Sequence, residues 1–167
     1  MFYAVDTQDR HLYAGMLERK RDDIVRGNIL QFHTSIEDLL DQHIIFAMSG
    51  ATRRHPRRGD KAKALHELFV GGQALGFDKK LTLGFALGVI SKKTRDRLRI
   101  LNTLRNKCSH NWLLNVPVRR GKKPSQKKPP LLTYENRDLH RVATMKDFVA
   151  EFSLIYLKLW LKYVDLD

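Results

Sequence analysis

From about Arg21 to Met48 the apolar residues Val25, Ile29, Phe32, Ile36, Leu39, Leu40, Ile44 and Ala47 recur in steps of three and four. A chain turning about 100° per residue carries such positions along one face, so the spacing predicts a long amphipathic helix. It stops in "SGATRRHPRRGD", where Gly50, Pro56 and Gly59 break the pattern and four arginines cluster, which reads as a basic loop. "KAKALHELFV" predicts a short helix ended by "GGQALG". "FDKKLTLGFALGVI" predicts another, with Phe77, Leu81, Phe85 and Val89 in line. Gly84 and Gly88 lower its intrinsic propensity and suggest a close crossing with a neighbour.

Ser91 is placed to cap the helix "KKTRDRLRILNTLRNKCSHNW", and "MKDFVAEFSLIYLKLWLKYV" closes the chain as an amphipathic helix through Phe148, Phe152, Ile155, Leu159 and Tyr163. Between them, "VPVRRGKKPSQKKPPLLTYENRDLHRVAT" holds four prolines and, between Arg119 and Lys128, six Lys or Arg with no acid. It predicts a basic hairpin or loop excursion over about 116–144, protruding from the bundle. The expected architecture is all-α: a single domain over 1–167, with four to five helices and one basic insertion before the last.

Charge changes this picture. Thirty-one Lys and Arg against eighteen Asp and Glu give a formal net charge of +13, which points to a polyanionic partner, nucleic acid or an acidic protein. The 43% hydrophobic and 29% charged residues exclude wholesale disorder. No apolar run approaches the roughly 18 residues of a membrane span, and "MFYAVDTQDRHLY" has neither a basic n-region nor an apolar core. A single cysteine, Cys108, forbids an internal disulfide and agrees with a reducing, cytoplasmic setting.

Candidate chemistry concentrates in "LRILNTLRNKCSHNW". On a helical wheel Leu98, Ile100, Leu101, Leu104, Cys108 and Trp112 share one apolar sector, and Arg105 falls inside it. An inward arginine keeps its charge and needs an acceptor; Glu37 and Asp38 in the first helix are the expected carboxylates. Asn106 and His110, four residues apart, share a more polar face. Five residues subtend about 140°, so Arg105 and His110 converge only if the helix loosens near Ser109 or if two chains contribute. Cations, Asn and Ser also suit an ordinary helix C-terminus, so this spacing by itself leaves both readings open.

"RNKCSH", Arg105 to His110, resembles the R-x4-6-H motif of the HEPN superfamily, with the polar residue that often follows the arginine present as Asn106. "LTLGFALGVISKKTRDRLRILNTLRNKCSH" resembles the helix, turn and motif helix of relatives that include the mannitol-operon-repressor group, and the first helix with "SIEDLLDQ" adds to the likeness. The resemblance spans about Arg21 to Trp112 and the closing helix. It implies a homodimer whose two motifs line a cleft, and in many members a metal-independent endoribonuclease, a toxin or defence effector with a nucleotidyltransferase-type antitoxin. In that chemistry the RNA 2′-hydroxyl attacks the adjacent phosphate. The resemblance gives His110 the proton transfer, Arg105 the phosphate, and Asn106 either the orientation of His110 or a hydrogen bond to a phosphate oxygen, with Lys107 adding charge. It also allows a non-catalytic transcriptional regulator or a nucleic-acid- or nucleotide-binding module.

The expected RNA contacts are the basic runs, with Arg53, Arg54, Arg57 and Arg58 in one and Arg119, Arg120, Lys122 and Lys123 in the other. Either run alone is also an ordinary solvated loop, and a basic protein-interaction domain is a third reading. Tyr134 and Trp112 are candidates to stack on a base, and Trp112 equally for the core. His33 and His43 lie ten apart with no Cys nearby, and Cys108 with His110 is too small a set for zinc. They are expected to be satisfied or partly exposed histidines, and no metal or cofactor is expected. "GGQALG" lacks the Lys and Ser/Thr of a phosphate loop and reads as a turn.

Overall fold

The structure, a computed structural model, describes residues 7–49, 60–70, 75–110 and 132–164. Five helices follow in order: α1 (Thr7–Ser49), α2 (Asp60–Val70), α3 (Phe77–Ala86), α4 (Lys92–His110) and α5 (Val142–Val164). A hairpin of two short strands, β1 (Thr133–Tyr134) and β2 (Arg137–Asp138), precedes α5. The described residues thus form an all-α five-helix bundle with one antiparallel hairpin. No helix among the described residues is long and apolar enough to cross a membrane.

The long first helix organises the rest, because α2, α3, α4 and α5 all pack against it. Most of its predicted stripe is core: Val25, Ile29, Ile36, Leu39, Leu40 and Ile44 are buried and Phe32 is half-buried, whereas Ala47 is exposed. Towards its C-terminus three consecutive residues, Ile44, Ile45 and Phe46, are buried, as happens only when a helix is covered on several sides. Leu98, Leu101, Leu104 and Cys108 of α4 and Phe148, Phe152 and Leu159 of α5 complete the interior.

The helix ends follow local chemistry. Ser91 caps α4 as its position predicts, its Oγ accepting the Thr94 N–H at 3.1 Å. The helix predicted over "FDKKLTLGFALGVI" is shorter than the apolar steps imply. Gly88 adopts φ 72°, with Val89 N–H donating to the Gly84 carbonyl at 2.8 Å and Gly88 N–H to that of Phe85 at 3.1 Å. These two bonds are a Schellman termination, and they stop α3 at Ala86. Phe77 and Leu81 are therefore core, whereas Phe85 is exposed. Gly84 fulfils the expected close crossing: a Cβ there would lie 2.9 Å from Leu40 Cδ1.

The hairpin differs from the protruding excursion expected. Glu135 and Asn136, both at positive φ, form the tight turn, and Tyr134 pairs with Arg137. Tyr134, Leu132 and Leu139 are buried, with the Tyr134 ring edge-on to Phe148 at 5.5 Å. Its hydroxyl donates to Glu151 on α5. Leu132, Tyr134 and Leu139 thus fold this end of the insertion onto α5; the basic run Arg119, Arg120, Lys122 and Lys123 lies outside the described residues.

Candidate functional site: a cleft between α1, α3 and α4

Arg105 and Asn106 stand at the mouth of a cleft of about 480 Å³, walled by α1, the first turn of α3 and the C-terminal half of α4. Two anchors hold α4, one at each end. Arg26 Nη1 donates to the Cys108 carbonyl at 3.1 Å while its Nε pairs with Asp22 at 2.9 Å, tying the last turn to α1. On the opposite flank Arg97 bridges Glu135 of the hairpin turn at 3.0 Å and Glu151 of α5 at 2.8 Å.

The placement of Arg105 corrects the expectation of an inward, carboxylate-paired arginine. Its wheel angle does lie in the core sector, but α3 begins only at Phe77, so the space opposite Arg105 is the open cleft and the residue is exposed. Neither expected carboxylate meets it: Glu37 accepts from Lys80 at 2.8 Å, and Asp38 is exposed. Arg105 instead donates to Asn106 Oδ1 at 3.1 Å and forms no ion pair with a described residue. Ile100, assigned to the same apolar sector, is also at the surface.

α4 stays helical through His110, with Ser109 Oγ donating to the Arg105 carbonyl at 3.1 Å. The loosening near Ser109 that would bring Arg105 and His110 together within one chain is absent. The His110 side chain lies outside the described residues, as do Trp112, Arg53, Arg54, Arg57 and Arg58. Lys107 is half-buried on the same helix. Tyr134, a candidate for stacking on a base, is taken up in the core. Cys108 is buried, and desolvation raises its thiol pKa, which keeps it an inert packing group.

Behind Arg105 lies a polar network that the sequence reading did not assemble. His33 is buried against the Phe77 ring, centroids 4.4 Å apart. Its Nε2 is 3.3 Å from Asn102 Oδ1, while Asn102 Nδ2 donates to Asp78 at 3.2 Å. A carboxylate only accepts, so Asn102 turns its NH2 to Asp78 and its oxygen to His33, which makes Nε2 the donor. Nδ1 faces Glu37 at 3.5 Å. Desolvation, the largest influence, lowers the His33 pKa against the pull of Glu37 and Asn102, with Arg105 and Lys80 adding to the fall.

Deeper still, Lys80 is almost wholly enclosed and donates to both Glu37 and Asp41, the latter at 2.6 Å. Those partners hold it protonated and raise its pKa despite burial. Burial in turn pushes Asp41 up to about 6, outweighing the pull of Lys80, and Asp41 Oδ1 is buried without a hydrogen bond. The available signal was His33, Glu37 and Asp41 at steps of four, a polar seam inside an apolar helix. His33 and His43, the latter bonded to the Leu159 carbonyl at 2.8 Å, are satisfied histidines as expected. Among the described residues no group of three or more His, Cys, Asp or Glu is arranged to hold a metal ion.

Comparison with protein-family models, with curated proteins and with solved structures finds no match to the chain. Any functional reading therefore rests on the cleft and on the residue pattern.

Proposed function

We propose that the protein is a metal-independent RNA endonuclease of the HEPN type, a homodimer whose paired cleft holds an RNA phosphodiester. The carrying observation is Arg105: a permanent cation at a cleft mouth, bonded to Asn106 and to no carboxylate among the described residues. The cleft also receives the N-terminus of α3, whose cap residue Gly76 offers no side chain to the first-turn N–H groups. Both features favour an anion, opposed by Asp78 in that first turn, while Glu37 on the cleft wall is paired with Lys80. The continuous helix separates Arg105 from His110 around its axis, which favours gathering them from two chains.

In this mechanism the 2′-hydroxyl loses its proton as its oxygen attacks the adjacent phosphorus. The P–O5′ bond breaks, leaving a 2′,3′-cyclic phosphate and a 5′-hydroxyl once the leaving oxygen is protonated. His110 serves these proton transfers, worth typically about 10²–10⁴-fold. Arg105 neutralises charge on the phosphoryl oxygens, and Asn106 fixes the guanidinium. A toxin or defence role with a nucleotidyltransferase-type antitoxin accompanies this reading.

Purified protein in EDTA is expected to cut RNA and leave cyclic phosphate ends. Arg105→Ala and His110→Ala are each expected to lower the rate by about 10²-fold or more with unchanged melting. Wild type that binds RNA but never cuts it overturns the enzyme reading in favour of a non-catalytic regulator.

A further inference from the structure

α5 carries apolar side chains on two opposite faces. Phe148, Phe152 and Leu159 fill the core, whereas Leu154, Leu157 and Leu161 stand on the far side of the helix, 52%, 49% and 52% exposed. Exposed Ala150 continues their line towards the N-terminus, and Trp160 flanks it, its ring 5.8 Å from that of Tyr163. Single exposed leucines are ordinary, but leucines aligned on successive turns with a tryptophan beside them form the kind of continuous patch that marks an interaction surface. No described element covers it.

Spacing says what shape fits there. Ala150, Leu154, Leu157 and Leu161 follow at steps of four, three and four, the seam spacing that lets a second helix set its side chains between them. Charge says what chemistry that helix carries. Lys158 and Lys162 line one edge of the seam, and Lys93 of α4 faces them across a groove of about 360 Å³ that Leu154 also lines. Lys93 and Lys158 pair with no described residue, and Lys162 donates to the Val89 carbonyl at 3.1 Å. The nearby acids are already engaged: Glu151 with Arg97 at 2.8 Å and with the Tyr134 hydroxyl, Asp147 with Arg137 at 2.8 Å. α4 opens with Lys92 and Lys93 and has no acid in its first turn, so these cations oppose the helix dipole and gain from an incoming carboxylate. A second copy of the chain brings the same excess of positive charge, +13, whereas an acidic helix neutralises it.

We propose that the outward face of α5 docks an acidic amphipathic helix of a partner protein, its apolar side chains set between Leu154, Leu157 and Leu161 and its carboxylates on Lys93, Lys158 and Lys162. The surface shares no residue with the Arg105 cleft and does not depend on RNA cleavage.

Fluorescence anisotropy of the full chain with labelled, helix-stabilised peptides tests the surface. The probe carries leucines at alternating steps of three and four with glutamates beside them; one control replaces its glutamates by lysine, the other its leucines by alanine. The probe is expected to bind about tenfold or more tightly than either control. Leu154→Gln combined with Leu157→Gln, both at exposed positions, is expected to weaken it by a similar factor, and Arg105→Ala to leave it unchanged. Lys93→Glu combined with Lys158→Glu is expected to reverse the preference, so that the lysine peptide binds more tightly than the glutamate one. That reversal is a gain of binding, which misfolding does not produce. The proposal is overturned if the probe binds no better than its leucine-free control, or if the charge reversal leaves the preference as it was. It is also overturned if the leucine variant turns a dimer into a monomer by light scattering, which gives the face to a second copy, or if the chain binds phosphatidylglycerol vesicles through these leucines, which gives it to a lipid surface.

Discussion

Ionisation of the Asp41 carboxyl opposes the fold. Its carboxyl titrates near 3.8 in an unfolded chain and about 6 in the folded one, so the folded state holds the proton more tightly. The stability this confers is complete below about pH 3.8 and is lost as pH rises through about 6, on the order of 1–3 kcal/mol. His33 runs the other way: its depressed pKa favours the neutral ring, and its contribution falls as pH drops below 6.5. Melting at pH 5 and pH 7 separates them. Asp41→Asn is expected to remove the loss that wild type suffers between the two; an equal or larger loss in the variant refutes the assignment. Only part of this was legible from spacing. The seam at steps of four is visible in α1, but its counter-ion Lys80 lies thirty-nine residues beyond Asp41, on a helix whose facing side only packing reveals.

At the scale of elements, most of the fold could be read from the chain. Steps of three and four located the helices, although α1 begins at Thr7 and not at about Arg21, where the apolar series starts, and Ser91 marked the start of α4. The end of α3 was misjudged because Phe85 and Val89 extend the apolar series past Gly88, whose left-handed backbone is the stronger local determinant. Gly88→Ala is expected to cost about 1–2 kcal/mol, since it forces a Cβ into that conformation. Gly84→Val is expected to cost about 1–3 kcal/mol by driving Leu40 out of place, with α4 and the Arg105 cleft reporting the shift. Urea titration measures both, and wild-type midpoints would contradict the described packing. The wheel misplaced Arg105 for a different reason: periodicity gives direction around a helix, but whether that direction meets protein or solvent depends on where the neighbouring helix begins, here Phe77.

For the whole molecule, the issue is how many chains build the site. If Arg105 of one protomer works with His110 of the other, neither single variant is active alone, yet each carries what its partner lacks. Mixing Arg105→Ala with His110→Ala and allowing exchange is then expected to restore up to about a quarter of wild-type activity, because half the dimers are mixed and each has one intact site. No recovery despite demonstrated exchange assigns the site to one chain. RNA affinity should also fall by roughly tenfold or more between about 50 and 200 mM salt, as expected for about three phosphate contacts. An affinity indifferent to salt would remove the nucleic-acid reading that the charge of +13 first suggested.

The buried lysine has a geometric consequence. Apolar faces tolerate sliding, since one leucine serves nearly as well as the next, but Lys80 fits only where Glu37 and Asp41 receive it. A one-turn slip of α3 along α1 would strand a charge in the interior. The cluster therefore acts as a detent, fixing where α3 begins and hence the width of the opening before Arg105. Replacing Lys80, Glu37 and Asp41 together by Met, Gln and Leu is expected to leave a folded protein of equal or greater stability. Its cleft should be less uniquely set, seen as faster amide exchange along α3 at undiminished melting temperature.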